Sequence, residues 1–287
     1  MPTISYEKGS ILKETVEEVR QVLAESLEDI TLERVVVGLF FIGVKLSNGQ
    51  GGMCYTPVKM IPEAVCCPSS AQAMPQSGKL KGRKAAEILE DLFSPRPLKK
   101  AIAIAVLNGL SEICRQKKRD DAYQYILTAD PIDYLTIPQD AYAVVVGALV
   151  PYFKLFKANK QAFGILELDV RTLKADELPF YIEPEKADEA IAKADLLIIT
   201  GTTLLNDTLE GLLAKRKPGA KVIVVGPTVS MLPDAFFKRG VVGLGGVTVT
   251  SADDLLNIIA EAGSGYHFYG KSAEKSAILN HPADNRL

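Results

Sequence analysis

The segment Ala194–Thr208, which reads ADLLIITGTTLLNDT, indicates the fold more strongly than any other part of the chain. Its run Leu196–Thr200 is apolar up to the final threonine, and Gly201 follows at once. Strands of parallel sheets are buried on both faces, so they read as unbroken apolar runs rather than as alternating ones. The segment therefore predicts a buried strand, a tight turn and a helix that starts near Asn206.

The same order of elements repeats through the second half of the chain. Further strands are predicted at Ala141–Leu149, Ala162–Leu168, Lys221–Val225 and Val241–Val249. Helices are predicted at about 152–160, 184–194, 206–216 and 251–262. Regular alternation of strand and helix, with right-handed crossovers, builds a doubly wound parallel sheet. The second half is therefore predicted as an α/β domain.

The first half has a different pattern. Apolar residues repeat every three or four positions between residues 10 and 27, which predicts an amphipathic helix. The run Arg34–Leu46 is β-branched and aromatic and predicts a strand. Ser47–Gln50 contains Asn-Gly, a strong hairpin signal, and Gly51–Thr56 is the predicted return strand.

The rest of the first half predicts a loop, two helices and a linker. Residues 57–78 are rich in Pro and Ser and predict an irregular loop, which two helices follow at about 85–92 and 98–117. Asp130–Asp140 has two prolines and no periodicity, so we interpret it as a linker. The predicted domains are 1–135, an α+β unit, and 136–287, the α/β unit.

Composition excludes several classes of function. The chain has 287 residues, 47% hydrophobic and 24% charged, as in an ordinary globular protein. A net charge of −2 gives no support for nucleic-acid binding. The longest apolar runs are about ten residues, whereas about 20 are needed to cross a bilayer, so no membrane role is predicted. The N-terminal MPTISYEKGS lacks the basic-then-apolar pattern of a signal peptide, which predicts a cytoplasmic protein.

The cysteines and histidines do not predict a structural zinc site. The chain has Cys54, Cys66, Cys67, Cys114, His267 and His281. No Cys-x-x-Cys pair exists. The vicinal pair Cys66–Cys67 could hold a soft metal ion through two thiolates, or could be two small residues in a loop bounded by prolines, which we favour. Both histidines fall in a C-terminal segment whose composition predicts a tail.

Glycines and hydroxyl residues mark the carboxyl ends of the predicted strands. Gly147 lies at the end of the first strand of the second half, Thr200–Thr203 at the end of the third and Gly226–Thr228 at the end of the fourth. Ligands of open parallel sheets bind at this edge, where the strand order reverses. The first turn lacks Gly-x-Gly-x-x-Gly, which argues against an ordinary NAD site. Turn geometry explains each glycine alone, but together they predict a ligand crevice.

Two acids end the second strand of this series. Glu167 and Asp169 lie about 20 residues after Gly147, where an acid can accept hydrogen bonds from ribose hydroxyls. This arrangement also suits a methyltransferase-like site. The alternative is that both are solvated acids at a strand end.

The threonine-rich turn is the most informative candidate site. Backbone N–H groups at a helix start could hold an anionic or carbonyl group. The hydroxyls of Thr200–Thr203 and the amide of Asn206 could recognise polar ring edges. Asp207 with Glu210 fits a capping box, which is the predicted role of Asp207.

Asn108 is a second candidate outside that turn. It lies in the apolar stretch AIAIAVLNGL, which covers Ala101–Leu110. A buried amide needs a hydrogen-bond partner, so Asn108 is either a satisfied core residue or part of a site.

Four segments, AIAIAVLNGL, ADLLIITGTTLLNDTLEGLL, VIVVGPTVSMLPDAFFKRGV and GLGGVTVT, together resemble the heavy-metal-chelation family, whose biochemical activity is unknown. The resemblance covers most of the chain, and its specific parts are the TGTT-x-x-N-x-T and GPT-x-x-x-x-P motifs. It implies an enolase-N-terminal-like domain followed by a Rossmann-like domain, with a site between them. One departure is the turn Thr228–Ser230, where the family pattern predicts a serine-threonine turn.

The resemblance also implies site residues and a role. The residues are Asn108, Thr200, Gly201, Thr202, Thr203, Asn206, Thr208, Gly226, Pro227, Thr228 and Pro233. The implied role is to make or handle a small metal-chelating molecule such as a pterin, a flavin or a siderophore precursor. Any metal ion would then arrive on that ligand.

Three functions follow as hypotheses. The first is an enzyme that condenses or hydrolyses a heterocyclic precursor, and the second is a protein that binds the chelator or its metal complex without turnover. The third is an S-adenosylmethionine-dependent methyltransferase. The candidate acid–base groups are Glu167, Asp169 and Lys271. The predicted partner is a small molecule, with a homo-oligomer as a further option.

Overall fold

The computed structural model describes residues 10–61, 75–117 and 122–280. Its strands are β1 Leu32–Val37, β2 Phe41–Leu46, β3 Gly51–Tyr55, β4 Tyr123–Leu127, β5 Ala143–Val146, β6 Phe163–Leu166, β7 Leu196–Thr200, β8 Lys221–Val225, β9 Gly243–Val249 and β10 Ala273–Asn280. Its α-helices are α1 Ser10–Leu23, α2 Ala85–Ile88, α3 Pro97–Lys117, α4 Val150–Ala158, α5 Ala187–Lys193, α6 Leu209–Lys215, α7 Asp234–Phe237, α8 Ala252–Ala260 and α9 Gly265–Phe268.

The small sheet is an antiparallel meander of β1, β2 and β3. The hairpin predicted at Asn48–Gly49 is confirmed: it joins β2 to β3, and Gly49 has a φ of +86°. The single strand predicted over Arg34–Leu46 is wrong, because the chain turns at Gly38–Phe40 and folds back on itself. Glycine at residue 38 permits close packing on α8, since a Cβ there would lie 2.4 Å from the carbonyl oxygen of Ile259.

α3 covers the small sheet and is buried along most of its length. A Cβ on Gly52 of β3 would lie 2.1 Å from the carbonyl oxygen of Ala105, so glycine lets the strand touch the helix backbone. α1 packs against α3 through its apolar face, which includes Ile11 and Val19, as its periodicity predicted.

The large sheet has the strand order β4-β10-β9-β8-β7-β5-β6. Its strands β6, β5, β7, β8 and β9 run parallel, which confirms the predicted parallel sheet. α4 covers one face, while α5, α6 and α7 share the other face with α1 and α3. Because β5 lies between β6 and β7, the strand order reverses between β5 and β7.

β10 and β4 add two antiparallel strands that the sequence did not predict. The prediction of a C-terminal tail is wrong up to residue 280, because this segment forms α9, which carries His267, and then β10. β10 has no clear strand signal in its sequence, AEKSAILN. Its first half is mainly polar, and only Ala277–Leu279 forms an apolar run.

The segment interpreted as a linker is packed at its start. Pro131, Ile132 and Leu135 are buried, and the last two join the core on the α4 face of the large sheet. A Cβ on Gly245 would lie 3.0 Å from Pro131, so glycine in β9 makes room for this segment. Residues 131, 132 and 135 are therefore packed, whereas Asp133 and Tyr134 are exposed, and the linker stays a prediction.

The fold is mixed α/β, as predicted. β4 lies before the predicted domain boundary at residue 135, but it pairs with β10, which lies after it. The division into two domains stays a prediction. The enolase-N-terminal-like and Rossmann-like labels likewise remain expectations from the resemblance. Within the described ranges, no helix combines the length and apolarity that crossing a bilayer needs.

Candidate functional site

The carboxyl ends of β5 and β7 meet at the point where the strand order reverses. Gly147, directly after β5, has a φ of +100°, a conformation that favours glycine. A Cβ at this position would lie 2.8 Å from Cγ2 of Thr200. Glycine is therefore required both by the backbone and by the approach of the β7 end.

Two adjoining cavities, of about 230 and 440 Å³, open at this point. Both are lined by Gly147, Glu167, Leu168, Thr200, Thr202 and Asn206, and we call the joined space the crevice. The predicted site residues that line it are Gly147, Glu167, Thr200, Gly201, Thr202, Thr203, Asn206, Thr208, Gly226, Pro227 and Thr228. Its size is in the range of about 300–1,000 Å³ that small-molecule sites occupy.

The threonine turn uses some of its hydroxyls internally. The Thr203 hydroxyl donates to the Thr200 carbonyl oxygen at 2.7 Å, and Thr203 is buried. The Thr202 backbone N–H and hydroxyl both donate to Oγ1 of Thr200, at 3.4 and 3.2 Å. Thr200 and Thr202 therefore form one hydroxyl pair on the crevice wall, and the Thr200 hydroxyl donates to no group among the described residues, so its proton can bond to a ligand.

Asn206 is oriented by its neighbour. The Thr208 hydroxyl donates to its Oδ1 at 2.7 Å. Within the described residues, its Nδ2 makes no hydrogen bond. Because Asn206 lines both cavities, this amide presents a hydrogen-bond donor to a ligand.

The predicted capping box is wrong. α6 begins only at Leu209, because Asp207 has a left-handed backbone with a φ of +56°. The Asp207 carboxylate pairs with the buried ammonium of Lys100 on α3 at 2.6 Å. The Glu210 carboxylate accepts a hydrogen bond from the Ile11 backbone N–H at 3.2 Å instead. Two long-range contacts thus replace the local one.

The turn after β8 is held by residues of the first half. Gly226 has a φ of +117°. The Thr228 hydroxyl accepts a hydrogen bond from the Tyr55 backbone N–H at 3.3 Å. Asn108 donates through Nδ2 to the carbonyl oxygens of Met53 at 2.8 Å, Pro227 at 3.1 Å and Thr228 at 3.2 Å. The amide of Asn108 therefore joins β3 to this turn.

Three of the predicted site residues do not line the crevice. Asn108 is 3% exposed, and its contacts match the alternative of a core amide, although its Oδ1 has no partner among the described residues. Pro233 is buried directly before α7. Asp169 lies at the rim, where it directly follows the lining residue Leu168 and pairs with Lys59. A ligand role for these three stays a prediction.

The two predicted acids have different surroundings. Glu167 lines both cavities and accepts the Asp169 backbone N–H at 3.1 Å. The Asp169 carboxylate pairs with Arg171 at 2.8 Å and with Lys59 at 3.2 Å. Its hydrogen bonds with Arg171 and then Lys59 hold the pKa of Asp169 well below its ordinary value. Glu167 is thus the acid that faces the crevice, while Asp169 joins two cations at the rim.

The first half contributes a wall that the sequence did not predict. Phe41, Tyr55, Lys59 and Met60 line the larger cavity opposite the turns of the large sheet. They lie at the start of β2, at the end of β3 and in the turn after it. No local motif marks such positions, because only the packing of one half on the other brings them to the crevice.

The described residues contain no group of three or more His, Cys, Asp or Glu side chains placed to hold a metal ion. Cys66, Cys67 and His281, singled out from the sequence, lie outside the described residues. The turns of the large sheet offer the crevice hydroxyls, an amide and one carboxylate, and the soft donor among the described lining residues is the thioether of Met60.

Two family models match the chain. The DUF364 model, described as "Putative heavy-metal chelation", matches residues 130–278, and the DUF4213 model, with the same description, matches residues 20–111. An uncharacterized protein from Methanocaldococcus jannaschii is 25% identical over 183 residues, which are 61% of this chain. The match spans 64% of that relative, less than two thirds of its length.

Two solved structures of unknown function from the DUF364 family share the fold. The protein from Pyrococcus horikoshii aligns with a TM-score of 0.73 and 15% identity, covering 94% of this chain and 99% of its own. The protein from Desulfitobacterium hafniense aligns with a TM-score of 0.68 and 17% identity, covering 93% of this chain and 99% of its own. Since the DUF364 model alone matches more than half of the residues, the chain belongs to the DUF364 family.

Proposed function

We propose that the chain binds or processes, by condensation or hydrolysis, a small heterocyclic metal chelator such as a pterin, a flavin or a siderophore precursor. The observation that carries the proposal is the wall of the crevice, which the Thr200–Thr202 hydroxyl pair and the Asn206 amide both line. A flat ring with several nitrogen and oxygen atoms can accept from and donate to such groups.

The apolar part of the crevice supports a flat ligand. Phe41, Tyr55, Leu168 and Leu205 line it beside the polar groups. Aromatic and aliphatic side chains exclude water from a bound ring, while a few polar groups fix its orientation. Metal-binding atoms then belong to the ligand, which fits the heavy-metal description of the family.

Few groups are available for acid–base chemistry. Asp169 is engaged by two cations, and Lys271 is exposed between α9 and β10. Of the three predicted acid–base groups, Glu167 is the one that lines the crevice. A binding protein without turnover therefore fits as well as an enzyme that uses Glu167 alone.

One observation favours a methyltransferase-like alternative. Glu167 follows β6, the second strand of the doubly wound series, and faces the crevice beside Gly147. In nucleotide-binding sheets, an acid at that place accepts hydrogen bonds from the ribose hydroxyls. S-adenosylmethionine is therefore the second candidate ligand.

Affinity measurements on a matched pair of variants test the proposal. Pterin-6-carboxylate is titrated by calorimetry into the wild type, Asn206→Ala and Asn257→Ala. Loss of one buried hydrogen bond weakens binding about tenfold to a hundredfold, which we expect for Asn206→Ala. Asn257→Ala removes an exposed amide on α8 and is the control. Equal affinity of all three proteins contradicts the proposal.

Mass spectrometry of gently purified protein separates the two candidates. A retained heterocycle that absorbs in the near ultraviolet supports the chelator, and a retained adenosyl compound supports the methyltransferase alternative. Turnover of the retained compound then distinguishes an enzyme from a binding protein.

A further inference from the structure

A third cavity, of about 510 Å³, lies next to the crevice. Leu149 and Gly226 line both spaces, so they form the partition between them. We call the third space the β9 cavity, because Gly245 and Gly246 of β9 form part of its wall. The crevice and the β9 cavity therefore adjoin at Leu149 and Gly226.

The β9 cavity contains two opposite charges that do not pair with each other. Asp130 and Lys275 both line it, and no ion pair joins them among the described residues. Each carboxylate oxygen of Asp130 accepts the Tyr152 hydroxyl at 2.9 Å, and Oδ1 also accepts the Ile132 backbone N–H at 3.2 Å. Lys275 is exposed, with Nζ 5.9 Å from the centroid of the Tyr269 ring.

Tyrosines line the same cavity as these charges. Burial, and then the charge of Asp130, raises the pKa of Tyr152 far above its ordinary value. The same two causes raise the pKa of Tyr269 to about 12. Both phenols therefore stay protonated near neutral pH. The Tyr152 proton is donated to Asp130, whereas the Tyr269 hydroxyl makes no hydrogen bond within the described residues and is free to bind a ligand.

We propose that the β9 cavity binds an amino acid or a similar small zwitterion. Its cationic group would lie at Asp130 among the tyrosines, since aromatic faces and a carboxylate both attract cations. Its carboxylate would lie at Lys275, and the Tyr269 hydroxyl would bond to either end. A ligand with one charge would use only half of this arrangement, whereas a zwitterion uses all of it. The inference rests on the proposed function in one respect: the zwitterion would bind next to the ligand of the crevice.

Calorimetry with the full chain tests the inference. The probes are the twenty common L-amino acids, titrated one at a time. We expect saturable binding of at least one probe, at least tenfold weaker in Lys275→Met, since a charge-assisted bond is lost. Tyr269→Phe removes only a hydroxyl and should weaken the same probe about threefold to tenfold. Lys154→Met, the same change on an exposed lysine of α4, should bind as the wild type does.

Asn206→Ala separates this inference from the proposed function. Asn206 lines the crevice and not the β9 cavity, so its loss should weaken pterin-6-carboxylate and leave the amino acid unaffected. If the pterin fails to bind while the amino acid binds more weakly to Lys275→Met and Tyr269→Phe, the proposed function is contradicted and the inference about the β9 cavity is supported. The inference is overturned if no amino acid gives saturable heat, or if Lys275→Met and Tyr269→Phe bind the probe as tightly as the wild type.

Discussion

Asp207 connects the crevice to the first half through an ion pair with a buried lysine. Its carboxylate meets the ammonium of Lys100 at 2.6 Å, and the two side chains are 26% and 5% exposed. The unusual φ of Asp207 lies directly after Asn206, so the ion pair stabilises the turn that presents the Asn206 amide. α3 therefore supports the turn, and its own residues do not line the crevice.

The difference in exposure predicts unequal effects of removing each partner. Asp207→Asn keeps the shape but leaves a buried ammonium without its carboxylate, which should cost about 3 kcal/mol or more of unfolding free energy. Lys100→Met leaves a carboxylate that water can reach and should cost about 1 kcal/mol. Urea denaturation of both variants measures these values. If Lys100→Met lost more unfolding free energy than Asp207→Asn, the idea that the buried ammonium needs its carboxylate partner would be contradicted.

Asp169 gives a prediction for pH dependence. Its pKa in the folded chain is lowered by Arg171 and Lys59, so the carboxylate stays ionised below its ordinary pKa of about 3.9. The ion pair with Lys59 is therefore complete at neutral pH, and it is lost only when the pH falls through the lowered value. A carbon-detected NMR titration of the Asp169 carboxyl should give a pKa below 3.9, and Lys59→Met should raise it while Arg171 still keeps it low. A pKa at or above 3.9 in the wild type contradicts the contact.

At the scale of elements, two turns form the crevice by packing closely on each other. A Cβ on Gly201 would lie 2.8 Å from Cγ1 of Val229, so the turn after β7 rests on the turn after β8. Val229 is fully buried and β-branched, so it has little freedom to move away. The glycine of the threonine motif is thus explained by packing between neighbouring turns.

Alanine substitutions at two glycines separate packing from helix propensity. Gly201→Ala should destabilise the chain by about 1–3 kcal/mol, because the buried Val229 must shift. Gly211 lies exposed in α6 with nothing within 4 Å of its Cβ position, so Gly211→Ala should stabilise by about 0.5–1 kcal/mol. Thermal denaturation compares the two. Similar effects of both changes would contradict the contact between the turns.

The elements that could be predicted from the sequence are those with local signals. Unbroken apolar runs mark β5, β7 and β8, and glycine-hydroxyl turns mark the crevice that follows them. β10 was missed because its apolar residues occupy only one half of the strand. The sequence also did not predict the crevice wall that includes Phe41 and Tyr55, or the ion pair of Lys100 with Asp207. Both depend on contacts between residues that lie far apart in the chain.

At the scale of the whole molecule, the two halves share one core. A single cluster of buried residues extends from Ile11 on α1 through α3 to the strands and helices of the large sheet, ending at Ile278 on β10. β4 and the Pro131–Leu135 segment cover the edge and the α4 face of the same sheet. A domain boundary at residue 135 would separate β4 and the Pro131–Leu135 segment from the parts of the large sheet that they cover.

Equilibrium unfolding should therefore be cooperative. We expect one transition in urea, with circular dichroism and tyrosine fluorescence giving the same midpoint, because a shared core links the stability of both halves. A separately expressed fragment of residues 136–287 should be less stable than the full chain. Two resolved transitions, or a fragment as stable as the full chain, would support independent domains at the predicted boundary.

The central claim is that the crevice between the β5 and β7 ends binds a flat heterocycle, and NMR mapping tests it most directly. Backbone amide spectra of the full chain are recorded during a titration with pterin-6-carboxylate. We predict saturable shifts at Gly147, at the Thr200–Asn206 turn and at Gly226, with smaller shifts at Lys154 on α4. Absence of saturable shifts, or shifts centred away from these turns, would contradict the claim.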